Sequence, residues 1–103
     1  MVVKTLSKNN IPIRLTDERW SHITEEHYEL AGMRLELPDV IANPSRVLAG
    51  NACELLAVRE ISEGRHLVVV YREIKDTNDG CIITAFLTSK SKSLDRRKQI
   101  WPG

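Results

Sequence analysis

The chain lacks most of the features that place a protein quickly. No apolar run approaches a membrane span: the longest is Leu67-Val68-Val69-Val70-Tyr71, against the roughly 20 residues that a spanning helix needs. No membrane partner is expected. The opening residues Met1-Val2-Val3-Lys4 carry no apolar core of the secretory kind, so a cytoplasmic protein is expected. Cysteine is scarce. Cys53 and Cys81 have no CxxC spacing and sit in separate apolar segments, which predicts a reduced pair of buried thiols. Repeats, low-complexity tracts and linker-like stretches are all missing. Excess charge is missing too: the formal net charge is +1, so no global basic field points to nucleic acid. What remains is 103 residues of ordinary globular composition, one domain with one modest core over residues 1–103.

Charge is nevertheless uneven. Asp17, Glu18, Glu25, Glu26 and Glu29 form an acidic stretch, and Lys90, Lys92, Arg96, Arg97 and Lys98 a basic one near the C-terminus. A local cationic patch of that kind either tracks phosphates or is a solvated tail.

The pattern of elements is clear. Ile11 to Leu15 alternates apolar and polar residues and suits a short strand. Thr16 or Asp17 can cap a helix that carries Asp17 and Glu18 in its first turn, runs to about Leu30 or Ala31 and is stopped by Gly32. A second helix is signalled by Leu37-Pro38-Asp39-Val40-Ile41-Ala42-Asn43, with Pro38 at its first position and Asn43-Pro44 at its end. After Ser45 the chain reads as strand. Arg46 to Ala49 leads through the hairpin signal Gly50-Asn51 to Cys53–Ile61; Ser62-Glu63-Gly64 turns the chain into His66–Ile74; a polar loop from Lys75 to Gly80 leads to Cys81–Thr88. The connections are too short for crossovers, so the expectation is an α+β domain: N-terminal helices packed on an antiparallel β-meander of about four strands. Residues 89–103 are expected as a basic tail or short helix. Trp101-Pro102 either packs on the domain or docks a second copy, a homodimer.

One segment carries candidate chemistry: Arg19-Trp20-Ser21-His22-Ile23-Thr24-Glu25-Glu26-His27, with two of the three histidines. On a helix turning about 100° per residue, His22 and His27 lie roughly 140° apart. A zinc helix needs its histidines at i and i+4 so that both rings meet one ion, so no metal is expected. Trp20, Ile23, His27, Leu30 and Ala31 follow core spacing, while Arg19, His22 and Glu26 share a neighbouring face. His27 is then either a semi-buried core histidine or a functional group, and His22 with Glu26 either a surface pair or part of a site. A metal-free ribonuclease needs a base for the ribose 2′-OH, an acid for the leaving oxygen and cations or donors for the charged phosphorane. Histidine suits the proton transfers, arginine the phosphate, and threonine can donate to a phosphate oxygen. The strands offer Arg59, Arg72 and Thr84, each of which also reads as an ordinary strand position. Arg59 shares a sheet face with Val68, Val70 and Arg72 if Ile61 pairs His66 directly, and lies on the other face if the register shifts by one.

The segments RWSHITEEH, NPSRVLAG, ELLAVREI, HLVVVYREI and DGCIITAF, in this order, resemble the barnase–EndoU–colicin–RelE-like (BECR) nuclease superfamily. The nearest resemblance is to a small phage and bacterial branch with an Arg-Trp-x-His-Ile helix, a later Asn-Pro and a Thr-Ala-aromatic strand. It covers Ile11 to Thr88. The resemblance implies helices on an antiparallel sheet, metal-independent RNA cleavage without a cofactor, and often a toxin opposed by a small antitoxin protein. It places the helix motif on Arg19, Trp20, His22 and His27, the strand arginine on Arg59, and the strand motif on Thr84, Ala85 and Phe86. Many relatives have His-Pro-Glu where this chain has His27-Tyr28-Glu29, and without the proline the helix is expected to continue.

The resulting expectation is a ribonuclease in which His22 serves as acid or base, His27 as its counterpart or a positioning group, Arg59 holds the phosphate, and Thr84 bonds the phosphate or a histidine. Arg72, Tyr71, Lys90 and Lys92 would contact RNA, Tyr71 by stacking on an unpaired base. The alternatives are a non-catalytic module of the same fold that binds RNA or protein, and a metal-dependent hydrolase built on His22, Glu26 and His27.

Overall fold

The structure, a computed structural model, describes residues 2–103; Met1, the first residue of the segment read for a secretory core, lies outside it. The described residues form strands β1 (Val3–Leu6), β2 (Pro12–Leu15), β3 (Arg46–Ala49), β4 (Leu55–Ser62), β5 (Arg65–Ile74), β6 (Asp79–Thr88) and β7 (Gln99–Trp101). The helices are α1 (Asp17–Glu26), α2 (Glu36–Ala42) and α3 (Ser91–Asp95), with single 3-10 turns at Tyr28–Leu30 and Lys75–Thr77. All strands join one sheet in the order β1-β2-β6-β5-β4-β3-β7, antiparallel except for a parallel contact of β2 with β6 at Arg14–Cys81.

The α+β class and the β3–β6 meander are as expected, but the sheet is mixed and has seven strands rather than about four. Strand β2 is the short strand expected over Ile11–Leu15, and the additions are shorter or equal: β1 has four residues and β7 has three. Alternation over so few residues is a weak signal. The C-terminal expectation is corrected the same way, since α3 is followed by β7, which pairs with β3 at Val47–Trp101. Trp101 is half-buried and packs on the core of its own domain.

Helix α1 begins as expected, with the Thr16 hydroxyl accepting from Arg19 N at 3.1 Å. It does not reach Leu30. His27 leaves helical geometry at φ −133°, ψ 67°, and a 3-10 turn follows. Glu25 and Glu26 stand at the C-terminal end with no basic residue in the last turn, so they oppose the helix dipole, and the chain breaks there without a proline. The second helix starts two residues before Pro38, which places Pro38 inside its first turn, where the missing N–H costs nothing. Cys53 is exposed at φ +70° in the β3–β4 loop and Cys81 is half-buried, so the buried-pair reading is corrected; both thiols are free.

The core lies between α2 and one sheet face. Leu37, Val40 and Ile41 of α2 are fully buried together with Leu15, Leu67 and Tyr71. The sheet curls round this helix, so that the β1–β2 turn comes back towards the far edge: Lys8 Nζ sits 4.8 Å from the Trp101 ring centroid. The same turn is tied to β5, where the Ser7 hydroxyl and Asn9 Nδ2 both donate to the Glu73 carboxylate. Gly80 permits the close approach of β2. A Cβ there would stand 2.4 Å from Arg72 O and 2.5 Å from Ile13 Cδ1. Gly80→Ala is therefore expected to lower stability by about 1–3 kcal/mol, read as a lower urea midpoint with an unchanged slope. Among the described residues no helix is long and apolar enough to cross a membrane.

Candidate functional site

Strand register sorts the candidates. Successive side chains of a strand point to opposite faces. On β5, His66, Val68, Val70 and Arg72 share one face, and Leu67, Val69 and Tyr71 point to α2. Across β6 the partners of the first set are Thr88, Phe86 and, for Val70, Thr84. A bulge at Ile83 follows immediately and separates Thr84 from Ile82, which pairs with Tyr71. On β4, Val58 pairs with Val68 and Leu56 with Val70, so both join this second face; Arg59 pairs with Leu67 and does not.

The second face has its own small core. Leu94 of α3 packs with Leu48, Leu56, Val58 and Val68, and Arg46 Nη1 fixes the helix through Asp95 at 2.9 Å. Beyond α3 the face stays partly open over Val70, Thr84 and Phe86, all half-buried. The other boundary comes from α1. Strand β2 pairs β6 only near Cys81, and α1 with its 3-10 turn packs against β6. The break at His27 turns that ring onto the strand, with its centroid 6.3 Å from that of Phe86 and tilted by 39°. Glu29 Oε2 lies 3.6 Å from His27 Nδ1, a charge neighbour rather than a hydrogen bond.

His27 and Thr84 are thus brought to one region, and Arg72 lies further along the same face. His22 is not part of it. It is exposed on the outer side of α1 and, with Thr16, Glu18, Arg19 and Glu26, lines a depression of about 290 Å³ bordered by no sheet residue. Its nearest carboxylate is Glu18 at 3.9 Å rather than the expected Glu26. Arg59 faces α2, where Nη2 meets Asp39 Oδ2 at 2.8 Å and Nη1 donates to Asn43 O at 3.3 Å. Tyr71 is 1% exposed and cannot stack on a base. Lys90 and Lys92 follow directly from β6: Thr88 Oγ1 accepts from Lys90 N at 3.0 Å, and the two lysines with Arg96 and the serines between them line a depression of about 450 Å³. No group of three or more His, Cys, Asp or Glu side chains suited to an ion occurs among the described residues.

Sequence reasoning missed several groups on this face. His66 stands opposite Thr88 and Glu60, and its Nδ1 is buried without a hydrogen-bond partner. Period-2 alternation from Arg72 back to His66 was the signal for it. The β3–β4 loop was missed as well. It spans 50–54, five residues rather than a two-residue hairpin turn, and closes a pocket of about 190 Å³ floored by Leu56, Val70 and Phe86. Glu54 and Asn51 stand at its rim. Glu54 Oε1 accepts from Ala52 N at 2.7 Å, and this bond, with the backbone N–H groups of Glu54 and Asn51 and a smaller contribution from the Arg72 charge, holds its carboxyl below the ordinary range. Arg97 Nη1 donates to Ala49 O at 3.2 Å and Asn51 Oδ1 at 3.0 Å.

The Arg59–Asp39 contact ties β4 to the end of α2. The hydrogen bond from Arg59 is the main cause holding the Asp39 carboxyl below its ordinary 3.8, so its contribution to stability is present above that pH and is lost as pH falls through the lower folded value. Asp39 is more than half exposed, so the pair contributes at most about 1 kcal/mol. Arg59→Ala should lower the thermal midpoint slightly and shallow the acid limb of stability, measured by melting at several pH values.

No protein-family model matches the chain, and no curated protein or solved structure matches it either.

Proposed function

We propose that this chain is a small endoribonuclease that cleaves RNA by attack of the ribose 2′-OH on the adjacent phosphorus, with the chemistry carried by side chains rather than a metal. One observation carries the reading: the break after α1 turns His27 onto Phe86, on the sheet face that also bears Thr84 and Arg72. Proton transfer, a hydroxyl donor and a guanidinium are the groups that a phosphorane needs. The resemblance to BECR nucleases in RWSHITEEH and DGCIITAF adds to it.

In this reading His27 moves a proton through Nε2, since Nδ1 faces Glu29. His66, two positions from Val68 on the same face, supplies the second imidazole. Thr84 and Arg72 stabilise the charged oxygens, and Lys90, Lys92 and Arg96 hold the strand as it leaves. Arg59 and His22, the earlier choices for phosphate and proton transfer, lie elsewhere and have no role in this chemistry. As a toxin, such an enzyme would be restrained by a small antitoxin that covers this face.

The test uses labelled single-stranded RNA in EDTA. Cleavage that survives EDTA and leaves 2′,3′-cyclic phosphate ends is expected. Binding without cleavage sinks the enzyme and leaves the second reading, a non-catalytic RNA-binding module, which the net charge of +1 favours.

A further inference from the structure

Charges of opposite sign flank the open part of the second face. On one side stands the end of α1. Glu25 and Glu26 are exposed there, and Glu29 follows beside His27, whose ring lies on Phe86. Arg19, towards the other end, is the helix's only lysine or arginine. On the other side stands the exit of β6. Thr88 shares the face with Phe86, and Lys90 follows two residues later with its N–H on Thr88 Oγ1. Lys90, Lys92 and Arg96 then line their depression of about 450 Å³. A strand rises about 3.3 Å per residue, so Lys90 lies no more than roughly 13 Å beyond Phe86.

Neither patch is neutralised within the chain. Among the described residues no lysine or arginine lies within ion-pair distance of Glu25 or Glu26, and no carboxylate within that distance of Lys90, Lys92 or Arg96. A partner of one sign satisfies one patch and is opposed by the other. A polyanion such as RNA is drawn to the lysines and repelled by the glutamates, and a wholly basic protein meets the reverse. A partner that fits both patches carries both signs, at the same spacing and in reverse order. A second copy turned through a two-fold axis does this by symmetry, because an isologous interface sets each patch against its counterpart. The net charge of +1 adds little repulsion between copies. An apolar anchor stands in the same place. Tyr28, between His27 and Glu29, is 81% exposed, and the open face offers the half-buried Val70 and Phe86. Tyrosine is among the residues that most often anchor an interface.

We infer that the chain forms a two-fold dimer through this face. Glu25 and Glu26 of each copy lie against Lys90, Lys92 and Arg96 of the other, and Tyr28 is buried on the other copy's sheet. Such a dimer covers His27 and Thr84, so the dimer is the resting form and the monomer the active one. That last step rests on the proposed ribonuclease function; the dimer itself does not.

Sedimentation of the full chain over a concentration series tests the dimer without RNA. Dimers are expected at about 0.1 M salt and should dissociate at least about tenfold more readily at about 1 M, where the Debye length falls from about 10 Å to about 3 Å. Glu25→Lys with Glu26→Lys, two exposed changes that suit a helix C-terminus, should be monomeric. So should Lys90→Glu with Lys92→Glu. Mixed in equal amounts, the two double variants should form a dimer again, since each reversed patch then meets its opposite. A chain that is monomeric at every concentration, an association that ignores these changes, or reversed variants that stay apart on mixing overturns the interface. Growth beyond dimers also overturns it, because that is the product of a head-to-tail contact. A monomer that binds single-stranded RNA through Lys90 and Lys92 makes RNA the occupant and overturns it as well. Cleavage separates the two proposals. RNA cleavage per chain should fall as the chain concentration rises through the dissociation constant of the dimer. A dimer with intact RNA at every dilution keeps the interface and removes the nuclease, while cleavage without any dimer keeps the nuclease and removes the interface.

Discussion

His27→Ala should lower RNA cleavage by about 10²–10⁴-fold, the usual contribution of a positioned proton-transfer group, while His22→Ala keeps wild-type cleavage. The contrast follows from the helix break. His27 is half-buried at the end of α1 with its ring against Phe86, whereas His22 projects from the outer side of the same helix beside Glu18. Loss of the ring contact also costs packing, so kcat alone does not decide the matter. His27→Gln restores part of the volume and a hydrogen-bonding group without a titrating imidazole. If the loss is chemical, His27→Gln cleaves as poorly as His27→Ala, both melt close to the wild type, and KM changes little while kcat falls. If His27 is a packing residue, His27→Gln recovers cleavage in step with its stability. A large loss in His22→Ala would move the site to the outer face of α1 and sink the arrangement proposed here.

Legibility of the candidate site divided along the sheet. Spacing alone separated His22 from His27 by roughly 140° on a helix, and that separation holds: one faces solvent, the other the strand. What spacing could not supply was the register of β4 against β5. Arg59 and Arg72 look equivalent as cations inside apolar strands, and a one-residue shift decides whether they share a face. The bulge between Glu60 and Ser62 makes Glu60, not Ile61, the partner of His66, and this turns Arg59 towards Asp39. The pocket at Glu54 was hidden for a similar reason. Gly50-Asn51 announced a turn, but a five-residue loop whose side chains fold back on the sheet leaves no periodic trace.

The fold was more legible where burial is one-sided and long. Strands β5 and β6 have ten residues each and were found within two residues of their ends. The edge strands β1 and β7 are held by contacts remote in sequence: Ser7 and Asn9 to Glu73, and Val47 opposite Trp101. Neither strand has enough residues to show alternation, and a sequence window cannot see its partner. The parallel β2–β6 contact likewise depends on Gly80, whose lack of a side chain reads locally as a simple loop exit.

Tyr71→Ala should cost about 3–5 kcal/mol, as for other large buried rings, out of the roughly 5–15 kcal/mol of a typical domain. In sequence Tyr71 reads as a base-stacking aromatic beside Arg72. In the fold it is 1% exposed and lies on the α2 side with Leu37, Ile41 and Ile82. Burial, helped by the nearby Glu73 charge, raises its hydroxyl well above the ordinary 10.0. The sign of the linkage follows. The unfolded hydroxyl ionises first as pH climbs, so the contribution is intact below pH 10 and declines above it as pH approaches the raised folded value. Urea unfolding of the wild type and Tyr71→Ala at pH 7 gives the first number, and repeating it at pH 8 and above 10 gives the second. The variant should lack the part of the alkaline decline that Tyr71 contributes. RNA cleavage per folded molecule should stay unchanged, because Tyr71 and the proposed cleavage groups lie on opposite faces of the sheet. A variant that folds as stably as the wild type but loses cleavage would return Tyr71 to the surface role that its sequence suggests.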